Sequence, residues 1–141
     1  MNTDSQDHLT GVIQFVSTVE RILYGAYTIN EYLESEVERL NGQRVLLLVP
    51  RSLKGQSPFQ RVSAILGRRL AASFTGAFEH APLEIIIEAD VAARRCDADL
   101  VIALGGGSVI DAGKPSAPAW PLILIVRSYL DRSWNAVSRW L

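Results

Sequence analysis

The apolar run Leu100-Val-Ile-Ala-Leu104 empties directly into Gly105-Gly-Gly-Ser-Val-Ile-Asp-Ala-Gly-Lys114, and no other stretch limits the fold so closely. A run with no polar position suits a strand covered on both faces, as in parallel sheets flanked by helices. Three glycines at its end carry no Cβ to block a bulky anion, and φ > 0 costs them little. Ser108 is a good helix N-cap, and Asp111 three residues later completes a capping box. Free N–H groups and the positive end of a helix dipole therefore stand beside the glycines. In sequence form this is a phosphate cradle.

Two familiar phosphate motifs fail on spacing. The dinucleotide pattern G-x-G-x-x-G, begun at Gly105 and Gly107, needs a third glycine where Ile110 stands. A P-loop ending in Gly113-Lys114 needs glycine at Ser108 and Ser or Thr at Pro115.

The chain before the glycines reads as alternating strands and helices. Val12 to Val16 and Arg21 to Tyr24 are β-prone runs closed by Gly25, which predicts an antiparallel edge hairpin. Thr28 with Glu31 has capping-box spacing, Leu33, Val37 and Leu40 share a helical face, and Asn41-Gly42 supplies a stop. Val45 to Val49 is a second unbroken apolar run, ended by Pro50. Ser57, Pro58 and Gln60 give an N-cap, an early helical proline and a box partner, with Val62, Leu66 and Leu70 on one face of a helix over 58–72. Ser73 to Phe78 is a strand candidate despite Gly76. Residues 82–98 favour strand at Ile85-Ile-Ile87 by propensity but contain no turn signal, so a helix is expected there, with Leu83, Ile87 and Val91 inward. The order argues for an α/β fold, a parallel, doubly wound (Rossmann-like) sheet with an N-terminal β-hairpin. Ligands of such sheets lie beyond the carboxyl ends of the strands, which puts Pro50-Arg51 and Gly105 to Ser108 together.

Composition narrows the function. With 141 residues, 48% of them hydrophobic, the chain can bury a core of one domain's size. A net charge of −1 offers no basic field for nucleic acid or anionic lipid. Cys96 is the only cysteine, which excludes an internal disulfide and a Cys-based zinc site, and a reducing, cytoplasmic setting is the default. The polar start from Met1 to His8 does not read as a signal peptide, and no apolar run approaches membrane-spanning length. His8 and His80 are far apart, so a metal centre would have to draw on scattered carboxylates.

Gly105-Gly-Gly-Ser-Val-Ile-Asp-Ala-Gly-Lys114 resembles the G-G-G-S-x-x-D-x-x-K motif of the iron-containing alcohol dehydrogenase superfamily. Arg21-Ile-Leu-Tyr-Gly25 looks like that family's opening strand and glycine, and Phe74-Thr-Gly-Ala-Phe-Glu-His-Ala-Pro82 is similar to the segment before the third helix in maleylacetate reductases. The resemblance implies an NAD(P)H-dependent oxidoreductase, of the branch that reduces maleylacetate to 3-oxoadipate in aromatic degradation. It also implies a small-molecule substrate, and Asp/His ligands for Fe or Zn that come from a second, helical domain. The sequence holds no counterpart of that domain, so the alternative is a truncated or degenerate nucleotide-binding domain without catalysis. The boundaries expected are a polar stretch over 1–11, the NAD(P)-binding domain over 12–126 and a divergent C-terminal helix over 127–141.

Within the cradle, Gly105, Gly106, Gly107 and Ser108 are the cofactor-binding candidates, through backbone N–H groups and a hydroxyl; a plain strand-to-helix turn is the other reading. Asp111 faces the nicotinamide side or only completes the cap, and Lys114 pairs with phosphate or with Asp111. Pro50 cannot accept a ribose 2′-OH, whereas Arg51 beside it either favours a 2′-phosphate or is a solvated loop residue. Pro115 is expected to cut or kink the motif helix, because inside a helix it costs about 3 kcal/mol.

After Pro121-Leu-Ile-Leu-Ile125, which sits where the family has its next strand, the resemblance decays. Ser128 and Asp131 repeat the capping spacing, and Leu130, Trp134, Val137 and Leu141 follow at helical intervals, predicting an amphipathic helix over about 129–140. Its apolar face, with Trp120 and Trp140 nearby, points to self-association into a homo-oligomer.

Overall fold

The computed structural model describes residues 11–14, 19–25, 28–80, 82–106, 123–128 and 135–140. In chain order these form β1 (Gly11–Gln14), β2 (Val19–Gly25), α1 (Thr28–Arg39), β3 (Val45–Pro50), α2 (Ser57–Leu66), a 3-10 turn (Gly67–Arg69), β4 (Leu70–Gly76), α3 (Leu83–Arg95), β5 (Leu100–Leu104), β6 (Ile123–Ser128) and β7 (Asn135–Trp140). The described strands make one sheet in the order β1-β2-β7-β6-β5-β3-β4. From β4 to β6 the pairing is parallel, and from β6 to β1 it is antiparallel.

β3 and β5 lie side by side in register, Val45 opposite Leu100 and Leu48 opposite Ala103, with every residue from Val45 to Val49 and from Leu100 to Leu104 buried. Alternation sends Val45, Leu47, Val49, Leu100, Ile102 and Leu104 to one face, under α1 and α2. Leu46, Leu48, Val101 and Ala103 go to the other, under α3. The two apolar runs were thus uninterrupted because both faces are covered, and each fully buried Leu or Ile contributes roughly 1.5–3 kcal/mol. This is the expected α/β layering, with the hairpin attached at the far edge.

α1 ends where expected and for an identifiable reason. Asn41 takes φ 54°, its N–H donates to the Glu38 carbonyl at 2.9 Å, and the Gly42 N–H donates to Val37 O at 2.9 Å. That pair of bonds is a Schellman closure. The stop is then pinned to β5, since both Asp99 carboxylate oxygens accept from the Gln43 N–H at 3.0 Å and Oδ1 also accepts from the Arg44 N–H at 2.9 Å. Arg44 Nε in turn donates to the Cys96 carbonyl at 2.8 Å. On the buried side of α1, Glu36 is held by two bonds from Arg39, at 3.0 and 2.8 Å.

Expectations for α2, for α3 and for the tail are corrected. α2 stops at Leu66 rather than 72, because Gly67 adopts φ 52° and the chain must turn to pair Leu70 with Val45 of β3. Leu70 still joins the core of Val62 and Leu66, but from a strand. The N-cap of α2 is Gln56, without a side-chain bond to the helix, rather than Ser57.

α3 is a helix, yet its inward face is not Leu83, Ile87 and Val91, which are 66%, 54% and 40% exposed. Ala89 and Ala93 are buried instead, flanked by Ile85, Ile86, Ala92 and Cys96. That face carries more apolar residues in total, and its alanines let the helix approach Leu46, Leu48 and Val101 closely. Phe78, just before the helix, closes this core edge-to-face against Phe74, with ring centroids 6.1 Å apart.

The third correction concerns the tail. Asn135–Trp140 is a strand, not part of a helix over 129–140. It lies between β2 and β6, pairing Val137 with Leu23 on one side and with Val126 on the other. Two strands offering open ladders outweigh a local helical pattern, since each residue gains hydrogen bonds on both sides. Leu130, Asp131, Trp134 and Leu141 lie outside the described residues. Among the described residues no helix is long and apolar enough to cross a membrane.

Two substitutions test this framework. A Cβ on Gly42 would stand 2.6 Å from Leu100 Cδ2, so Gly42→Ala should cost about 1–3 kcal/mol by overpacking. Asp99→Ala removes the carboxylate that accepts from the exposed Gln43 and Arg44 N–H groups and should cost about 0.5–1.5 kcal/mol, whereas Asp99→Asn should lose less. Urea denaturation with unchanged slope reads both.

Candidate functional site

The carboxyl ends of β3, β4 and β5 converge at one edge of the sheet. Pro50 pairs with Gly76, and Leu104, at the end of β5, pairs with Val126 of β6. From β3 the chain moves outward through α2 to β4, then returns past β3 through α3 to β5. β3 and β5 are thus the neighbours at which the strand order reverses, the switch point whose outer crevice takes the ligand in sheets of this kind.

On the β5 side the crevice is bounded by Gly105 and Gly106. Gly105 is buried and has φ 146°, a backbone state that L side chains rarely adopt. Gly106 is exposed, and a Cβ built on it would meet nothing within 4 Å. Bare backbone facing open space is what close approach of a phosphate requires. Gly107, Ser108, Asp111 and Lys114 lie outside the described residues, as do the expected cap and the Pro115 kink.

On the β3 side, Pro50 ends the strand and turns the chain, its carbonyl accepting from the Leu53 N–H at 3.0 Å and the Lys54 N–H at 3.3 Å. Arg51 is exposed at the head of this turn, with its N–H donating to Gly76 O at 3.3 Å and its side chain making no ion pair among the described residues. The turn closes through Gly55, at φ 78°, whose carbonyl accepts from Gln60 Nε2 at 2.9 Å. It leads into α2, whose first turn contains no acidic residue and no side-chain cap. Lys54 and this uncapped helix start were missed from sequence, because Ser57 looked like a cap and drew attention from the cation before it. The structure therefore brings Arg51 and the first two glycines to one edge. The arrangement suits an extended ligand with a pyrophosphate at the glycines and a further anionic group at Arg51 and Lys54.

His80 is exposed in the turn after β4, with φ 62°, and Cys96 packs against the α3 core. Among the described residues no three of His, Cys, Asp and Glu assemble in a way that would hold a metal ion.

With this geometry in hand, likeness to known proteins becomes informative. The model of the family described as "Iron-containing alcohol dehydrogenase" matches residues 19–126. A maleylacetate reductase of Burkholderia cepacia is 32% identical over 117 residues, covering 82% of this chain and 32% of that protein. Maleylacetate reductase 2 of Cupriavidus pinatubonensis is 38% identical over 97 residues, covering 69% of this chain and 26% of that protein. The crystal structure of maleylacetate reductase from Agrobacterium tumefaciens superposes with a TM-score of 0.65 and 30% identity, over 72% of this chain and 29% of that one. The chain spans about a third or less of the length of the curated relatives it matches.

The two described glycines should respond oppositely to alanine. Gly105→Ala forces a side chain into a strained backbone state and should cost about 1–3 kcal/mol. Gly106→Ala enters open space and should change stability by no more than about 0.5 kcal/mol. Thermal melts of the two variants check the pair.

Proposed function

This chain belongs to the iron-containing alcohol dehydrogenase family, and from that premise we propose that it forms the nucleotide-binding part of an NAD(P)H-dependent reductase acting on maleylacetate. The observation that carries the reading is Gly105-Gly106, bare backbone at the carboxyl end of β5 beside the β3/β5 crevice. The names of the relatives support maleylacetate as the substrate reduced, and the resemblance implies 3-oxoadipate as its product.

In this reading the backbone N–H groups of Gly106 and Gly107 and the Ser108 hydroxyl hold the pyrophosphate, with no side chain between ligand and peptide. The dipole of a helix capped by Ser108 adds a favourable field for the negative charge. The same reading assigns Asp111 to the nicotinamide side and Lys114 to offsetting phosphate charge. Arg51, with Lys54 behind it, receives the 2′-phosphate of NADPH, where Pro50 offers no acceptor to the free 2′-OH of NADH. When bound, the cofactor supplies the hydride. What the chain's own residues contribute is fixed position and a preorganised electrostatic setting. Fe or Zn is assigned no ligand among the described residues, and no step is drawn through it. A small-molecule substrate and a cytoplasmic setting complete the proposal.

Titration with NADH and NADPH tests the cradle. The wild-type chain should bind saturably, and Gly106→Val should lower affinity for both about tenfold or more while its melting temperature stays unchanged. Arg51→Ala should weaken NADPH about tenfold and NADH little. Undiminished binding by Gly106→Val sinks the cradle assignment; equal losses for both nucleotides in Arg51→Ala sink the 2′-phosphate assignment. Maleylacetate-dependent oxidation of NAD(P)H, followed by absorbance, tests the substrate.

A further inference from the structure

The net charge of −1 conceals an uneven distribution. Between Glu38 and Glu79 the sequence has no Asp or Glu, so every charged side chain from Arg39 to Arg69 is a cation. The structure sorts these cations into two sets. Arg39 bonds Glu36, Arg69 lies 3.3 Å from Glu38 Oε1, and Arg44 donates to the Cys96 carbonyl. Arg51, Lys54, Arg61 and Arg68 are exposed and, among the described residues, make no ion pair.

These four descend one side of the molecule from the crevice. Arg51 and Lys54 stand in the turn at its rim, and α2 leads away from them with Val62 and Leu66 buried and Arg61 on its outer face. Arg61 lies about 6 Å along the axis from the start of α2, and Arg68, in the 3-10 turn that follows, about 17 Å. Such spacings are comparable with the ~10 Å screening length at 0.1 M salt, so the separate fields merge into one basic strip. Acidic residues are missing even from the first turn of α2, where the helix dipole favours them. Acidic side chains lie to either side instead, with Glu31 and Glu34 exposed on α1 and Glu84 and Glu88 exposed on α3. An approaching anion is repelled over α1 and α3 and attracted along α2.

We infer that this strip is an electrostatic guide, which draws an anionic dinucleotide along α2 to the crevice. The inference rests on the nucleotide-binding reading and adds to it Arg61 and Arg68, of which Arg68 stands too far from the rim to touch a ligand held there. The two cations act on arrival. Attraction through solvent raises the frequency of productive encounters and adds no contact to the bound state, so its mark is a salt-dependent on-rate with an off-rate that stays constant. NADPH, with one phosphate more than NADH, is guided more strongly.

Stopped-flow mixing of the 141-residue chain with NADPH, read by nucleotide fluorescence, tests this. The wild-type on-rate should be at least about tenfold higher at ~0.01 M than at ~0.5 M ionic strength. Arg61→Glu combined with Arg68→Glu should lower the low-salt on-rate about tenfold, leave the off-rate unchanged and converge with wild type at high salt. The loss should be smaller with NADH. Arg68→Glu alone should lower the rate about threefold, whereas Arg95→Glu, the same change in net charge on the opposite face of the sheet, should leave it unchanged. Circular dichroism should match wild type throughout, since all three positions are exposed. On-rates indifferent to salt or to the double variant, a raised off-rate in their place, or an equal loss in Arg95→Glu would each overturn the guide while leaving the nucleotide reading intact. A wild-type chain that takes up no NADPH sinks that reading, and the guide with it.

Discussion

Parallel pairing of β3 with β5, sealed on both faces, is the contact on which everything else depends. Leu46, Leu48, Val101 and Ala103 need α3 to cover them, while Val45, Leu47, Ile102 and Leu104 need α1 and α2. Either helix layer without the other would leave half of this surface in water. The same pairing sets the site. Because two strands reached through opposite faces end together, Arg51 and the glycines are neighbours although they are far apart in the chain.

At the lower end of these strands the chain is held by polar bonds instead. The αL state of Asn41, the Asp99 carboxylate and the Arg44 guanidinium join two loops into one closure. Each of these groups satisfies backbone polar atoms that the turn from α1 into β3 would otherwise leave open. The lower end is thus tied by side chains, while the upper end is left as bare backbone. Rigid support on one side and an accessible edge on the other is a sensible division for a ligand-binding domain.

How much could be read from sequence depended on whether one partner decided the outcome. Val45 to Val49 and Leu100 to Leu104 were legible, since no half-exposed element tolerates so uniform a run. The rotation of α3 was not, because the helix has two apolar stripes and only the sheet chooses between them. The end of α2 turned on Gly67, whose positive φ matters only once Leu70 has β3 to pair with. Asn135–Trp140 carries helical spacing, and what overrides it are β2 and β6, one of them more than a hundred residues away in the chain. At the site, the glycines were visible as composition. The role of Lys54 was not, since a lone lysine in a loop has no signature until the turn beneath it is known.

The position of β7 has a consequence for how the molecule comes into being. β2 leaves the ribosome more than a hundred residues before β7, yet on its inner side it pairs with it. Until then the N-terminal ribbon is joined to the growing α/β layers only by the chain itself and by packing under α1. A contact between such distant segments is slow to form, because closing a long loop costs entropy before any bond repays it. The early ribbon therefore waits with an unpaired edge until β7 has been made and closes the sheet.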